Sequence, residues 1–460
     1  MTRLTSTRLL RRACVVALLI ATLALISACG GTDTTSGGSA GTPDDMAKAV
    51  TAGDCTTAKR IGEQIIAADR ESFDALMAHT VLFNCAMFSG DTAAAKTQTA
   101  AIRAFPDDTG IASGMGLYLE AVAASQSGDA EAATLLGQRA IADAEKNDLP
   151  IVGALAAIVL AGVANDAGNC PDASKSAQQA LALLNQSGSE SLTGQIAQLI
   201  GGGQSGSSAR DRTEARAHML LGSCATDKAT ALRESAQAVK IAKGTGEELL
   251  LLEVLAGRAE TAAYFDDCAT GLAASGEAAG LGENFPVATT GSFRVQAYSA
   301  RIACAPLPET AQIADEALAF VTPLRDTAPH LELVILMVYA GVLFQNDKYT
   351  LACALIADHP QALTEDQLLD LPSFNTYRIL AAECPLFTPK NKGKQRDGIA
   401  IATKAIDSLK TSTDKPTLGL AYYVRGLLYA NLEDMAAARS DLQKAAQLGN
   451  QDAIDLLNGG

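Results

Sequence analysis

The chain is 460 residues long and acidic, with 36 lysines and arginines against 51 aspartates and glutamates, for a formal charge of −15. That balance excludes nucleic acid as a partner, since phosphate recognition needs clustered cations, and it gives a surface that favours solubility and repels anionic headgroups. Aromatic residues make up only 4% and tryptophan is absent, which weighs against sites that stack sugars on aromatic platforms.

The first elements have the layout of a secretory leader. Arg3, Arg8, Arg11 and Arg12 precede an apolar run from Ala13 to Ile26, and no acid lies among them. The run has 14 residues, short of the roughly 20 that a permanent span needs. Arg11-Arg12 lacks the neighbours that complete a twin-arginine signal, so general secretion is expected. Ile26-Ser27-Ala28-Cys29 resembles the bacterial lipobox. The resemblance implies cleavage before Cys29 and acylation of its thiol with a diacylglyceryl group, a palmitate-type lipid anchor. Residues 1–28 are then a lipoprotein signal peptide that takes Cys14 with it, and the formal charge becomes −19 because four arginines and no acid are lost.

Residues 29–45 are read as a flexible lipidated tether, rich in Gly, Ser and Thr and without apolar periodicity. The sixteen residues after Cys29 span roughly 20 to 24 Å, which keeps the folded part near a membrane. Gly37-Gly38-Ser39-Ala40-Gly41 fits the G-x-S-x-G pattern of hydrolases. A nucleophile elbow needs a strand before it, and none is expected here, so the match is accidental.

From residue 46 a turn signature recurs. Gly53-Asp54 is followed by Ala58, Gly90-Asp91 by Ala95, Gly128-Asp129 by Ala133, and Gly168-Asn169 by Ala173. The glycines are 37, 38 and 40 residues apart, and the intervening stretches carry apolar residues at helical spacing, broken midway by turns such as Pro106-Asp107-Asp108. Each period therefore holds two helices: Gly makes the turn, Asp caps the second helix, and Ala lets the two approach. Asp266-Asp267, Pro306 and Asn346-Asp347 read as the equivalent turns further on.

In the last unit, from Ala421 to Leu448, Tyr422, Gly426, Tyr429, Ala438, Leu442 and Ala445 fall at spacings that resemble the tetratricopeptide repeat. Glu433 replaces the turn glycine, and Asn450 stands where a proline commonly closes the unit. The resemblance implies an all-α, TPR-like α-solenoid of antiparallel helix pairs, about nine or ten repeats long, with Gly426 and Ala438 at the crossing of the last pair. It also implies a concave surface of first helices, on which Tyr423, Leu427, Ala430 and Asn431 are the candidate partner-binding residues, with ordinary helix packing as the alternative for each.

Leu149–Ala164 is apolar and uncharged over sixteen residues, but Pro150 and the flanking turns mark it as a buried helix rather than a span, and Leu333–Phe344 reads likewise. A Gly/Ser-rich interruption at 186–212 divides the N-terminal repeats, 46–185, from the C-terminal repeats, 213–460. One basic cluster, Lys390, Lys392, Lys394 and Arg396, stands out from the acidic background. It could touch anionic lipid or polymer, or simply be an exposed connection.

Eight cysteines follow Cys29. Their even number outside the cytoplasm suggests disulfides, of which 105 pairings are conceivable. Residues equidistant from a connection face each other in antiparallel helices. The pairs Cys55–Cys85, Cys170–Cys224, Cys268–Cys304 and Cys353–Cys384 each have their midpoint in an expected connection between one repeat and the next. Sequential pairing is therefore expected, with eight buried thiols as the alternative.

No catalytic chemistry is visible. His79, His218, His330 and His359 have no partner at zinc-ligand spacing, and Gly201-Gly202-Gly203 does not precede a phosphate-binding helix. Neither a metal, a cofactor nor an enzymatic activity is expected. The leading reading is a tethered adaptor outside the cytoplasm that holds an envelope protein or peptide, on the cell membrane or on the outer membrane of a host that has one. A solute- or glycan-binding lipoprotein serving a transporter is the alternative, and an enzyme with converging carboxylates the third.

Overall fold

The computed structural model describes residues 41–42, 45, 46, 49 and 54–459, apart from 89–90, 107–108, 187–208, 286, 326–327, 360–371, 388–390 and 411–414. Cys29, the leader and the tether as far as residue 40 lie outside the described residues, as does Lys390.

Among the described residues the fold is all-α. In chain order the helices are α1 (Cys55–Ala68), α2 (Phe73–Phe88), α3 (Thr92–Arg103), α4 (Ile111–Gln126), α5 (Ala130–Lys146), α6 (Pro150–Asp166) and α7 (Cys170–Gln186). Then come α8 (Ala209–Ser223), α9 (Lys228–Thr245), α10 (Glu248–Tyr264), α11 (Cys268–Gly282), α12 (Val287–Cys304) and α13 (Leu307–Val321). The last are α14 (Pro329–Gln345), α15 (Tyr349–Asp358), α16 (Pro372–Glu383), α17 (Lys392–Leu409), α18 (Lys415–Asn431), α19 (Met435–Gln447) and α20 (Gln451–Gly459). The even-numbered helices from α2 to α18 are the first, or A, helices of nine pairs, and the odd-numbered helices that follow them are the B helices. The helix α1 is a B helix, and α20 closes the series. These are the antiparallel pairs of a TPR-like solenoid.

The turn signature explains the pairing. At Gly128-Asp129 the glycine has φ +79°, the Asp129 amide donates back to the Ala124 carbonyl at 2.9 Å, and the Asp129 carboxylate accepts from the Ala132 amide at 2.9 Å. The A helix is thereby closed by a left-handed residue, and the B helix opens on a side-chain cap. Asp54, Asp91, Asp227 and Asp434 cap their helices in the same way. Where glycine is missing the backbone keeps the left-handed turn at a cost: Asp266, Asp347 and Glu433 have φ of +57°, +59° and +67°. The alanines five residues after each glycine, Ala58, Ala95, Ala133 and Ala173, are at most 1% exposed, so the close approach of A to B has no room for a larger side chain. In the last pair a Cβ on Gly426 would sit 3.1 Å from Leu442 Cγ and 3.3 Å from the Ala438 carbonyl oxygen.

The chain divides into two compact units, one within Ile20–Phe265 and Ala273–Ala297, the other including Asp266–Leu272 and Tyr298–Gly460. In the first, each helix from α1 to α10 packs on the next, and α4, α6, α8 and α10 also pack A helix to A helix in succession. The helices α7 and α8, on either side of the interruption, pack together in that unit. The A helix α6 is sandwiched, with twelve buried residues distributed all around it, which is why its sequence reads as one apolar run. In the other unit α14, α16 and α18 pack in the same A-to-A fashion. Among the described residues no helix is long and apolar enough to cross a membrane.

The four cysteine pairs stand at disulfide distance, Cα to Cα: 5.5 Å for Cys55–Cys85, 5.0 Å for Cys170–Cys224, 5.0 Å for Cys268–Cys304 and 5.5 Å for Cys353–Cys384. Each joins the start of a B helix, or in the case of Cys353 its first half, to the end of the next A helix.

Candidate functional site

Stacking A helices side by side leaves a face that their B helices do not cover. In the first unit that face holds a pocket of about 140 Å³, walled by Phe83 of α2, Met115, Leu119 and Val122 of α4, and Leu155, Ile158 and Val159 of α6. The remaining walls come from α8 and the start of α10 through Ala209, Thr213, Leu249 and Leu250. Five consecutive A helices thus converge on one depression. A cavity of roughly 150 Å³ accepts a benzene-sized group, so this one fits a single aliphatic or aromatic side chain.

Polar groups stand at defined places around the apolar walls. Asn84, Tyr118, Arg212, Arg216 and Glu247 line the same pocket. The Arg212 Nε donates to Glu247 Oε1 at 2.8 Å. Arg216 donates from Nε to both oxygens of Glu253, at 3.1 and 3.3 Å, and from a terminal nitrogen at 3.2 Å. Glu253 is 0% exposed; burial pushes its carboxyl up while Arg216 pulls it back. For Arg216 burial acts against the charge, and Glu253 more than offsets it. The Tyr118 hydroxyl is pushed up by burial, with Arg216 and Arg212 opposing, so it is a neutral donor at physiological pH. Asn84 is half-buried and makes no side-chain hydrogen bond among the described residues. With two arginines matched by two glutamates, the pocket is electrically balanced, and its chemistry suits an apolar side chain whose flanking backbone amides can meet an amide and a phenol.

No protein-family model matches the sequence, and no curated protein matches it. Among solved structures the chain is similar to a chain of the APC/C hetero-tetramer Cut9-Hcn1, at 13% identity over 88% of this chain and 86% of that one, with a TM-score of 0.30. It is also similar to the TPR domain of P58(IPK), at 17% identity over 84% of this chain and 98% of that one, with a TM-score of 0.21. The fold itself stands on the helix pairing described above.

The residues singled out from the last repeat are placed differently from one another. Tyr423 is 6% exposed and shares a buried cluster with Ala453 of α20; burial, then Asp452 and Glu383, push its hydroxyl up to about 12. Leu427 packs against the same cluster, Ala430 is half-buried, and Asn431 is exposed, with its amide 3.5 Å from Gln395 Oε1. Two histidines are hydrogen-bonded locally, His79 with Gln98 at 2.7 Å and His218 with Glu234 at 2.7 Å, while His359 Nδ1 lies 3.5 Å from Glu332 without a hydrogen bond. His330 is half-buried, and that desolvation lowers its imidazole below the ordinary range. Among the described residues no three His, Cys, Asp or Glu side chains converge as metal ligands.

Reading the sequence alone missed Tyr118, Arg212, Arg216 and Glu253. A signal was present: Arg216 and Glu253 are 37 residues apart, one repeat period, and residues one period apart on successive A helices face each other.

Proposed function

We propose that this chain is a lipid-anchored, extracytoplasmic scaffold that holds a peptide segment of another envelope protein in the groove of its first unit. The observation that carries the reading is the pocket of about 140 Å³ to which five successive A helices contribute, apolar in its walls and edged by Asn84, Tyr118 and the paired arginines. An extended segment would seat one apolar side chain there. The lipobox-like Ile26-Ser27-Ala28-Cys29 and the Gly/Ser/Thr tether support the anchor, and the four cysteine pairs at disulfide distance fit an oxidising compartment.

The anchor is tested by metabolic acyl labelling of cells expressing the chain or Cys29→Ser, with loss of label and of membrane retention expected in the variant. The groove is tested by in-cell crosslinking and mass spectrometry on the wild type and on Ile158→Trp, which fills the pocket. One envelope protein crosslinked to the wild type and depleted in the variant is expected; equal recovery from both would refute the groove.

A further inference from the structure

In the second unit, the edge formed by the A-to-B turns carries features that peptide binding does not use. Lys348 holds the N-cap position of α15 with no side-chain cap, where most other turns have Asp or Asn. Lys392, Lys394 and Arg396 lie within the first five residues of α17, whose first turn has no acid. All four cations are exposed and make no ion pair among the described residues. Positive charge at a helix N-terminus opposes the helix dipole, so folding gains nothing from this placement.

These turns are fastened together. Cys353 and Cys384 stand at disulfide distance, and Phe387 stacks on Tyr349 at 4.0 Å between ring centroids. Yet Phe387 stays 37% exposed and Leu351, two residues beyond Tyr349, 59% exposed. The other turns of this edge carry exposed Glu309, Glu433 and Asp434; around the turns that open α15 and α17 the exposed carboxylates are Asp347, which accepts from the Tyr349 hydroxyl at 2.6 Å, and Asp397. Glu383 lies behind them, its carboxyl pushed up to about 7 by burial and by Asp452. In these two neighbouring turns four cations thus stand against two exposed carboxylates, on a chain whose formal charge is −15, and Lys390 adjoins them in sequence.

We propose that this edge rests on a bilayer surface carrying anionic lipid, with the four cations among the phosphate headgroups and Phe387 and Leu351 entering the interface. A soluble polyanion would use the charges but would leave the two apolar side chains without a role. The proposal rests on the anchored reading above, which supplies the bilayer that this edge would meet.

The chain has no tryptophan, so Phe387→Trp makes a single-reporter protein, with Leu351→Trp as the second reporter should the ring stack not survive. The protein used runs from residue 29 onward and carries Cys29→Ser, which keeps every described residue. Vesicles of phosphatidylglycerol and brominated phosphatidylcholine should blue-shift and quench either reporter, whereas purely phosphatidylcholine vesicles should not, nor should a reporter at Leu135→Trp respond. Each cation contributes about fivefold to partitioning, so Lys392→Gln, Lys394→Gln and Arg396→Gln together should weaken it on the order of 100-fold. Absence of quenching at both reporters, quenching undiminished in the triple variant, or an equal blue shift with a soluble polyanion would overturn the proposal. Because the test protein carries no lipid, a failure here is distinct from a failure of acyl labelling at Cys29 in cells.

Discussion

Glu260, on α10, is buried with an oxygen that has no hydrogen-bond partner, and burial alone pushes its carboxyl up to about 8 from the usual 4.5. Between those two values the folded protein keeps a proton that the unfolded chain has released. The stability contribution is therefore complete below about pH 4.5 and is lost as pH rises through the folded value. Each pH unit in that window costs about 1.4 kcal/mol, so the loss between about pH 5.5 and about pH 7.5 is about 2.7 kcal/mol. Glu260→Gln is near in size to the neutral acid and has no proton to lose. Urea unfolding of the wild type and of Glu260→Gln at several pH values isolates the effect, because the difference in slope is independent of what the amide itself costs. The variant should lack one proton's worth of pH dependence across this window. Parallel slopes for the two proteins would show that Glu260 is ionised in the fold and would refute the reasoning.

Other consequences are equally accessible to unfolding measurements. Arg216→Met leaves the Glu253 charge buried and unpaired and should cost about 3–5 kcal/mol, most of it recovered in the Arg216→Met, Glu253→Met double variant; recovery of none would mean that the pair is not the unit of stability. Glu433→Gly places at φ +67° a residue that tolerates it, and should raise the denaturant midpoint by about 1 kcal/mol of stability. Removing Cys170 and Cys224 together frees a loop of 54 residues and should cost about 4 kcal/mol by chain entropy, slightly more than removing Cys55 and Cys85, which close 30. Reversal of that order would argue against the entropic account.

The helical pairs were legible because the local rules and the packing rules agree on the same residues. Gly128 supplies the left-handed turn, Asp129 the cap and Ala133 the close contact, and the three recur at the repeat period. The cysteine pairs were legible for a related reason: in an antiparallel array, distance from a connection fixes which residues meet. The groove was not, since its walls are ordinary Leu, Ile, Val and Met, indistinguishable in sequence from the core around α6. What marks it is the convergence of five helices, a tertiary property. Tyr423 illustrates the opposite difficulty. The repeat spacing puts it on the A-helix face, and the structure buries it in a cluster that includes Ala453 of α20, a short helix visible in sequence only as Gln451 to Gly459. Where glycine gave way to Asp347 or Glu433, the turn persisted because the pairs on either side determine it more strongly than one strained residue opposes it.

The most direct test of the scaffold reading is a photo-reactive residue at Asn84, in the groove, compared in living cells with one at Leu135, exposed on the B helix α5. The account predicts one discrete adduct with an envelope protein from Asn84, abolished when Ile158→Trp fills the pocket, and none from Leu135. Adducts of the same identity and yield from both positions, or none from Asn84, would contradict it.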